Sequence, residues 1–264
     1  MGSGRVKLRR LLRFPDNVRF QIWKQMKLPG VLQVRLRGED GPTLLLRPGP
    51  THDRGIAREI FAEEMYALPA AYRAEAAAPA WRTIVDLGAN VGYSILYFLR
   101  AHPEARVIAF EPHPAHVACI RRHLVVNGVE AKRVELHAVA GGAAAAHLTL
   151  TDAGATSEVV TKSAGAGGIP VEVVDIFPLV QELEIDLMKI DIEGGEYAII
   201  DDPRFARLKV RWLVMECHRT DAVGEPYTYC QERLKAAGYE VMSRPEGAAA
   251  HTEGRTSLLW ARRR

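Results

Sequence analysis

The sequence lacks the features that define several large classes of protein. It has three cysteines, Cys119, Cys217 and Cys230, without the spacing of a disulfide framework or a zinc site, so we expect reduced, structural thiols. It has no apolar run long enough to span a bilayer and no apolar segment of a signal peptide near residue 1. No internal repeat is visible. These absences exclude a disulfide scaffold, a zinc module and a membrane-spanning chain, and they favour a cytoplasmic protein.

Acidic residues are scarce at the start of the chain. Residues 1–37 contain ten Lys and Arg but only one acid, Asp16, whereas the whole chain has a net charge of +3. Apolar residues alternate with these basic residues, and Pro15 interrupts the pattern. Two interpretations stay open: a basic amphipathic surface that binds an anionic membrane or a partner, or an arm that packs on the domain or on a second subunit of a homodimer. An aromatic platform that could stack on bases is not evident, so nucleic acid is not an expected partner.

A dinucleotide-binding fingerprint is incomplete in this sequence. Residues 85–94 read Val-Asp-Leu-Gly-Ala-Asn-Val-Gly-Tyr-Ser, in which Asn90 replaces the middle glycine of G-x-G-x-x-G. The pattern predicts a buried strand, a turn whose Gly88 and Gly92 adopt positive φ angles or allow close backbone approach, and then a helix. Because Asp86 would repel a phosphate and attract an ammonium group, the turn favours S-adenosylmethionine over NAD.

Two further predicted strands end in acids. The strand predicted over residues 106–110 is followed by Glu111, at the position that contacts the ribose hydroxyls in Rossmann-type sites. The strand predicted over residues 185–190 is followed by Asp191 and Glu193. Because ligands bind beyond the carboxyl ends of the strands in open α/β sheets, we expect these acids to lie together at one edge of the sheet.

Four short strings of residues along the chain are informative when they are taken together. They are residues 85–92, Phe110-Glu-Pro112, Lys189-Ile-Asp-Ile-Glu-Gly194, and Val214-Met-Glu216 with His218 after it. With these strings the chain resembles the FkbM family of S-adenosylmethionine-dependent methyltransferases over roughly residues 53–262. The resemblance implies an α/β, Rossmann-like class I methyltransferase fold: a mostly parallel seven-stranded sheet with helices on both faces and an antiparallel last strand, here with a basic N-terminal extension. We expect residues 1–80 to form this basic arm, with short strands and a helix that serve as a substrate or oligomer segment, and residues 81–264 to form the cofactor-binding domain.

The resemblance also implies a reaction. We expect an O-methyltransferase of natural-product biosynthesis that transfers a methyl group from S-adenosylmethionine to a hydroxyl of a sugar or natural-product acceptor. Because a hydroxyl is a poor nucleophile near neutral pH, it needs a base or a metal. Asp191 is the first candidate for this role, His218 and Glu193 are alternatives, and Mg²⁺ bound by Asp191 and Glu216 is another. The expected cofactor-binding residues are Asp86, Gly88, Asn90, Gly92, Ser94, Glu111, Pro112, His137 and Ser157.

Two other functions are kept as alternatives. Asp86 and the missing glycine disfavour an NAD-linked oxidoreductase, and a methyltransferase-fold protein that binds RNA or a membrane through its basic arm would bind anionic polymers or vesicles in a salt-sensitive way. The pattern further predicts a helix that runs from Asp53, as its N-cap, to Ala67, and another over residues 197–208. Residues 141–168 are expected to form a loop insertion with two short strands.

Overall fold

The computed structural model describes residues 7–69, 72–73, 81–152, 157–160, 168–220, 222–242 and 256–263, of which 151–152, 157–160 and 256–257 are described by their backbone alone. The strands are β1 Leu32–Arg35, β2 Thr43–Leu46, β3 Thr83–Leu87, β4 Arg106–Phe110, β5 Val134–His137, β6 Ala140–Gly142, β7 Ala146–Asp152, β8 Ser157–Val160, β9 Ile169–Asp175, β10 Glu184–Ile190, β11 Lys209–His218, β12 Tyr239–Val241 and β13 Thr256–Arg263. The α-helices are α1 Asp16–Gln25, α2 Asp53–Phe61, α3 Tyr93–Ala101, α4 Pro114–Val126, α5 Phe177–Val180, α6 Glu196–Asp201 and α7 Pro226–Ala236.

The central sheet has seven strands in the order β12-β13-β11-β10-β3-β4-β5. The strands β5, β4, β3, β10 and β11 pair in parallel, and β13 runs antiparallel to both β11 and β12. This is the mostly parallel sheet with an antiparallel last strand that the sequence predicts, so the class I methyltransferase fold is confirmed.

Buried side chains cover both faces of this sheet. Along β3, Ile84 belongs to the core on one face and Val85 to the core on the other, as the two-residue period of a strand requires. The first core includes the residues of α2 and α3, and the second includes those of α5, α6 and α7. Two-sided burial explains why these strands read as continuous apolar runs rather than as alternating ones.

The strand order reverses at β3. The next strand along the chain, β4, lies on one side of β3, whereas β10 lies on the other. Such a reversal opens a crevice beyond the carboxyl ends of the two strands, which is where open α/β sheets bind their ligands. The turns after β3 and β10 therefore meet at the expected binding position.

The basic N-terminal segment packs on the domain. Helix α1 buries Phe20 and Trp23, which share one apolar core with residues of α3. The β1–β2 hairpin is held by the Tyr93 hydroxyl, which donates to Leu45 O at 2.8 Å. One side of α1 thus packs on the domain, while its other side faces outward. No helix in the described part of the chain is long and apolar enough to cross a membrane.

Helix α2 differs from the prediction at both ends. Asp53 is not its N-cap but its first helical residue, and its carboxylate binds the Arg47 backbone N–H and guanidinium instead, at 2.8 and 2.7 Å. The helix ends at Phe61 rather than Ala67, because the chain turns at Glu64, whose φ is +48°. This turn directs Tyr66 toward the ends of the central strands.

Helix α6 and residues 141–168 also differ from the prediction. The helix ends at Asp201, because Pro203 forces Asp202 into an extended conformation with ψ of 129°. The two short strands predicted within 141–168 are present as β7 and β8, but they belong to a separate four-stranded sheet of order β6-β9-β7-β8. The alanine-rich connector at 70–80 lies almost wholly outside the described residues.

Candidate active site

The glycine turn after β3 is tightly folded against the turn after β10. Gly88, Asn90 and Gly92 have φ values of +82°, +51° and +92°, which confirms the predicted left-handed conformations. A Cβ placed on Gly88 would lie 1.8 Å from the carbonyl oxygen of Asp191. The glycine is therefore required by the close approach of two protein turns.

The backbone N–H groups of this turn are all used within the protein. Gly88 and Ala89 donate to Phe110 O, Asn90 donates to a Glu111 carboxylate oxygen, Val91 donates to the Asn90 side chain, and Gly92 donates to Ala89 O, at 2.7 to 3.0 Å. A pyrophosphate-binding turn needs such groups to point at the ligand. Residues 88–92 thus offer no backbone donor of that kind.

Asp86 lies beneath the turn and is fully buried. One carboxylate oxygen is 3.0 Å from Lys189 Nζ, and the other accepts a hydrogen bond from the Ser94 hydroxyl at 2.6 Å. Lys189 also donates to Gly88 O at 2.9 Å and lies 3.4 Å from an Asp191 oxygen. The ammonium group that Asp86 attracts in this structure is therefore that of Lys189, and Asp86 and Ser94 support the turn from inside.

Glu111 lies at the tip of β4, directly beside the glycine turn. Its carboxylate accepts the N–H of Asn90 at 2.8 Å and that of His113 at 2.9 Å, and His116 Nδ1 lies 3.3 Å away. An ionised carboxylate has about four lone-pair sites, so these three contacts leave room for a ligand hydroxyl. The structure brings Glu111 and the turn together, as the sequence predicts.

The other residues predicted to bind the cofactor lie around Glu111 or outside the described part. His137, at the end of β5, stacks on Phe110 with ring centroids 4.5 Å apart, and its Nε2 is 2.9 Å from Glu135. Pro112 follows Glu111 in the loop between β4 and α4. The side chain of Ser157 lies outside the described residues, so its role stays a prediction.

His218 lies among four carboxylates at the ends of β10 and β11. Its Nε2 is 3.3 Å from Glu193, 3.8 Å from Asp191 and 3.8 Å from Glu216, and its Nδ1 is 3.1 Å from Glu196. Glu196 is fully buried and also accepts the backbone N–H of His218 at 2.7 Å. The structure therefore brings together all three predicted catalytic residues and Glu216, and we call the five residues the acid–histidine cluster.

The cluster shifts the pKa values of its members. Burial alone would lower the pKa of His218, but the hydrogen bond with Glu196 and the charges of Asp191 and Glu193 raise it to about 10. Burial and the Asp191 charge raise the pKa of Glu216 to about 8, against the opposing effect of His218. At neutral pH His218 is therefore a cation and Glu216 is mostly protonated, and Glu216 becomes a carboxylate able to act as a general base as the pH rises through about 8.

Tyr66 and Lys189 connect this cluster to the buried Asp86. The Tyr66 hydroxyl donates to Asp191 at 3.3 Å, and Lys189 Nζ lies over the Tyr66 ring, 5.6 Å from its centroid. Burial and the charge of Asp191 raise the pKa of Tyr66 well above its usual value, so the hydroxyl stays protonated. Burial opposes the charge on Lys189, but Asp86 and Asp191 raise its pKa above the usual 10.5.

The cluster does not fit the predicted magnesium site. Mg²⁺ prefers six oxygen ligands in near-octahedral geometry, whereas His218 Nε2 lies 3.8 Å from both expected ligands, Asp191 and Glu216. A different set, Asp191, Glu193 and His218, offers one ligand atom each within 4.8 Å of one another. In this set Lys189 Nζ already lies 3.4 Å from an Asp191 carboxylate oxygen and supplies a positive charge there.

Sequence reasoning missed the roles of three residues. Lys189 is not among the predicted site residues, yet it contacts both Asp86 and Asp191. The signal was present, because residues two apart on a strand point to the same side, which places Lys189 beside Asp191. For Tyr66 and Glu196 no local pattern exists, since their contacts join distant segments. The same alternation does predict that Cys217 points away from Glu216, into the sheet core, where it is fully buried.

Comparisons with known proteins match this chain to methyltransferases. A family model described as the methyltransferase FkbM domain matches residues 86–241. The chain is 28% identical to the methyltransferase sdnD of Sordaria araneosa, with 55% of this chain and 66% of that protein covered. It is also 28% identical to the 31-O-demethyl-FK506 methyltransferase FkbM of Streptomyces tacrolimicus, with 64% and 77% covered.

Among solved structures, the chain is similar to a methyltransferase FkbM from Methylobacillus flagellatus KT. The two share 17% sequence identity with a TM-score of 0.48, over 69% of this chain and 43% of the other. The chain thus spans just under two thirds of sdnD and less than half of this solved chain.

Proposed function

This chain belongs to the FkbM methyltransferase family, and we propose from its site that it transfers a methyl group from S-adenosylmethionine to a hydroxyl of a small sugar or natural-product acceptor. The observation that carries the proposal is the meeting of two sets of residues at the strand reversal. Glu111 and the glycine turn form one set, and the acid–histidine cluster forms the other. Gly88 lies in the first and touches Asp191 in the second.

S-adenosylmethionine fits the first set. Glu111 keeps an accepting position for a ribose hydroxyl, and the stacked pair of His137 and Phe110 lies at the tips of the neighbouring strands. Asp86 acts indirectly, because Lys189 and Ser94 occupy its carboxylate. When bound, S-adenosylmethionine would supply a methyl group on a sulfonium sulfur: the acceptor oxygen would bond to the methyl carbon in line with the carbon–sulfur bond, and the electron pair of that bond would stay on the departing sulfur.

The acid–histidine cluster takes up the proton of the acceptor hydroxyl. Glu216 is the proposed base, because its pKa of about 8 is close to that of an efficient general base near neutral pH. His218, as a cation held by Glu196, is a positioning residue that orients the carboxylates of Glu193 and Glu216. The acceptor hydroxyl then gives its proton to Glu216 as its oxygen bonds to the methyl carbon.

The acceptor class rests on chemistry and on a relative. Carboxylates at the ends of β10 and β11 accept hydrogen bonds from hydroxyl groups, so they suit a polyhydroxylated molecule. The relative from Streptomyces tacrolimicus is named as a methyltransferase of 31-O-demethyl-FK506. Both support transfer to oxygen on a natural product.

An NAD-linked oxidoreductase is the competing function. Binding of NAD at this position would need backbone donors for its pyrophosphate. The N–H groups of residues 88–92 are all paired within the protein, so the turn favours the cofactor without phosphates.

Calorimetric titration with S-adenosylmethionine and with NAD tests the cofactor. We expect saturable binding of S-adenosylmethionine alone, and binding of NAD alone would refute the proposal. The transfer step is tested with a panel of hydroxylated sugars and glycosides, in the presence of a chelator, with the product detected by a mass gain and a methoxy signal in NMR.

The base is tested by a matched pair of variants. We expect Glu216→Gln to lose turnover and the pH dependence near 8 while S-adenosylmethionine still binds. Glu225→Gln removes an exposed carboxylate just before α7 and should retain both. Equal turnover in the two variants would remove Glu216 from the mechanism.

A further inference from the structure

Helix α1 presents a row of apolar side chains to the outside. Phe14, Val18, Ile22 and Met26 are spaced four residues apart, and their exposed fractions are 81%, 45%, 46% and 66%. Val18 and Ile22 lie within α1 and Met26 is its C-cap, so their spacing places them along one face of the helix, and the exposed Phe14 lies just before the helix, next to Pro15. We call these four residues the apolar ridge.

The ridge faces away from the protein because the opposite side of α1 is anchored. Phe20 and Trp23 are buried, and the Trp23 indole N–H donates to Gly30 O at 3.1 Å. At the start of the helix, Asp16 accepts the N–H of Arg35 at 2.8 Å. The orientation of α1 is thus fixed by contacts near both ends of the helix, and the helix cannot rotate to turn the ridge inward without breaking these contacts.

Basic residues surround the ridge. The exposed ones are Arg9, Arg10, Arg13, Arg19, Lys24 and Lys27. The single acid in this part of the chain, Asp16, already pairs with Arg19 at 2.8 Å. An exposed apolar face within a field of positive charge is the pattern of a helix that lies in the interface of an anionic membrane.

We propose that the apolar ridge and its basic border form a docking surface for an anionic lipid bilayer. The apolar side chains enter the boundary between headgroups and acyl chains, and the arginines and lysines remain at the level of the lipid phosphates. The protein then acts as a peripheral membrane protein through α1. This surface is independent of the methyl-transfer site.

The charge and the side-chain types favour lipid over the other occupants. A symmetric dimer through the ridge would bring two strongly basic surfaces together, which costs free energy through like-charge repulsion. A nucleic acid would match the charge, but three of the four ridge residues are Val, Ile and Met, which cannot stack on bases as aromatic rings do. Of these three occupants, the anionic bilayer is the one that uses both the positive charge and the apolar row.

Vesicle flotation with the purified full chain tests the proposal. We expect the protein to float with vesicles of an equal mixture of phosphatidylcholine and phosphatidylglycerol, to stay unbound with phosphatidylcholine alone, and to dissociate at high salt. Loss of one ridge residue, in Phe14→Ser or Ile22→Ser, should weaken binding about tenfold, as expected for an apolar side chain that leaves a lipid environment. Arg9→Gln combined with Arg10→Gln should also weaken it.

Matched controls distinguish binding through the ridge from nonspecific binding by other exposed apolar residues. Val125 is 79% exposed but lies on a different helix, α4, and is not a ridge residue, so Val125→Ser should bind vesicles like the original protein. Thermal unfolding shows that each variant is folded. Equal binding by Ile22→Ser and Val125→Ser, or no binding to anionic vesicles, would overturn the proposal. So would a dimer in light scattering that Ile22→Ser dissociates, or binding to RNA in place of vesicles.

Discussion

Replacement of Lys189 by methionine should destabilise the fold severely. Lys189 is 2% exposed and Asp86 is fully buried, with 3.0 Å between their charged atoms. Methionine fills most of the lysine volume but leaves the Asp86 carboxylate without its cation. Removal of one partner from a buried pair costs about 3–5 kcal/mol, because the remaining charge stays desolvated. At roughly 2–4 °C per kcal/mol for a chain of this size, the melting temperature should fall by roughly 6–20 °C.

Thermal unfolding followed by circular dichroism at pH 7 measures this loss. The control is Lys209→Met, because Lys209 pairs with Glu184 at a similar distance of 3.0 Å but on the surface, where the two side chains are 51% and 82% exposed. Such a pair contributes about 0–1 kcal/mol, so this control should melt within a few degrees of the original protein.

A double variant tests the reason for the loss. In Asp86→Asn/Lys189→Met the buried charge is gone from both sides, while the hydrogen bond from Ser94 to residue 86 can persist. We expect this variant to recover a large part of the lost stability. If Lys189→Met melts like Lys209→Met, or if the double variant is no better than the single one, the argument from a desolvated carboxylate is wrong.

Three further predictions follow from the site. The raised pKa values of about 8 for Glu216 and about 10 for His218, against ordinary values of 4.5 and 6.5, mean that the folded state binds these protons more tightly. Stability should therefore fall as the pH rises through these ranges, with a lower melting temperature at pH 9 than at pH 6 and a flatter profile in Glu216→Gln/His218→Gln; an unchanged profile would refute these pKa shifts. Glu111→Gln should weaken S-adenosylmethionine binding by about tenfold or more in calorimetry, since charged hydrogen bonds contribute about 1.5–3 kcal/mol, and unchanged affinity would exclude a ribose contact. The melting temperature should also fall, because the glutamine oxygen can accept only one of the two backbone N–H groups that Glu111 binds with its two oxygens, so affinity is measured at a temperature at which the variant is folded. Gly88→Ala should lower the yield of folded protein, because its Cβ would meet Asp191 O at 1.8 Å, whereas Gly55→Ala, with open space at its Cβ within α2, should be neutral or stabilising.

The central fold could be predicted from the sequence because its signals are local. Strand β4 begins and ends at the predicted residues, since its apolar run is a signal that acts within a few residues. The sequence did not predict that β6 to β9 form a four-stranded sheet, because these strands are short and their pairing depends on long-range register.

The sequence predicted which residues lie at the site but not all of the contacts between them. The acids and His218 follow strand ends, and strand ends meet at one edge, so their proximity follows from the fold. The partner of Asp86 does not follow from the fold. A buried carboxylate can be paired with a ligand or with another group of the protein, and the sequence pattern is the same in both cases. Only the register of β3 with β10, which pairs Asp86 with Lys189, decides between them.

That register also sets the order in which the chain can assemble. Strand β3 finds β4 soon after it is made, but its other neighbour is β10, about one hundred residues later. During synthesis from the N-terminus, one edge of β3 therefore stays unpaired until β10 has been made. An unpaired edge of an apolar strand can form incorrect strand pairs. Asp86 places a charge on that unpaired strand, and a charge on an exposed strand disfavours its association with another apolar segment. In the finished sheet, the register of β3 with β10 places Lys189 opposite Asp86, so that this one register pairs the two strands and neutralises the buried carboxylate.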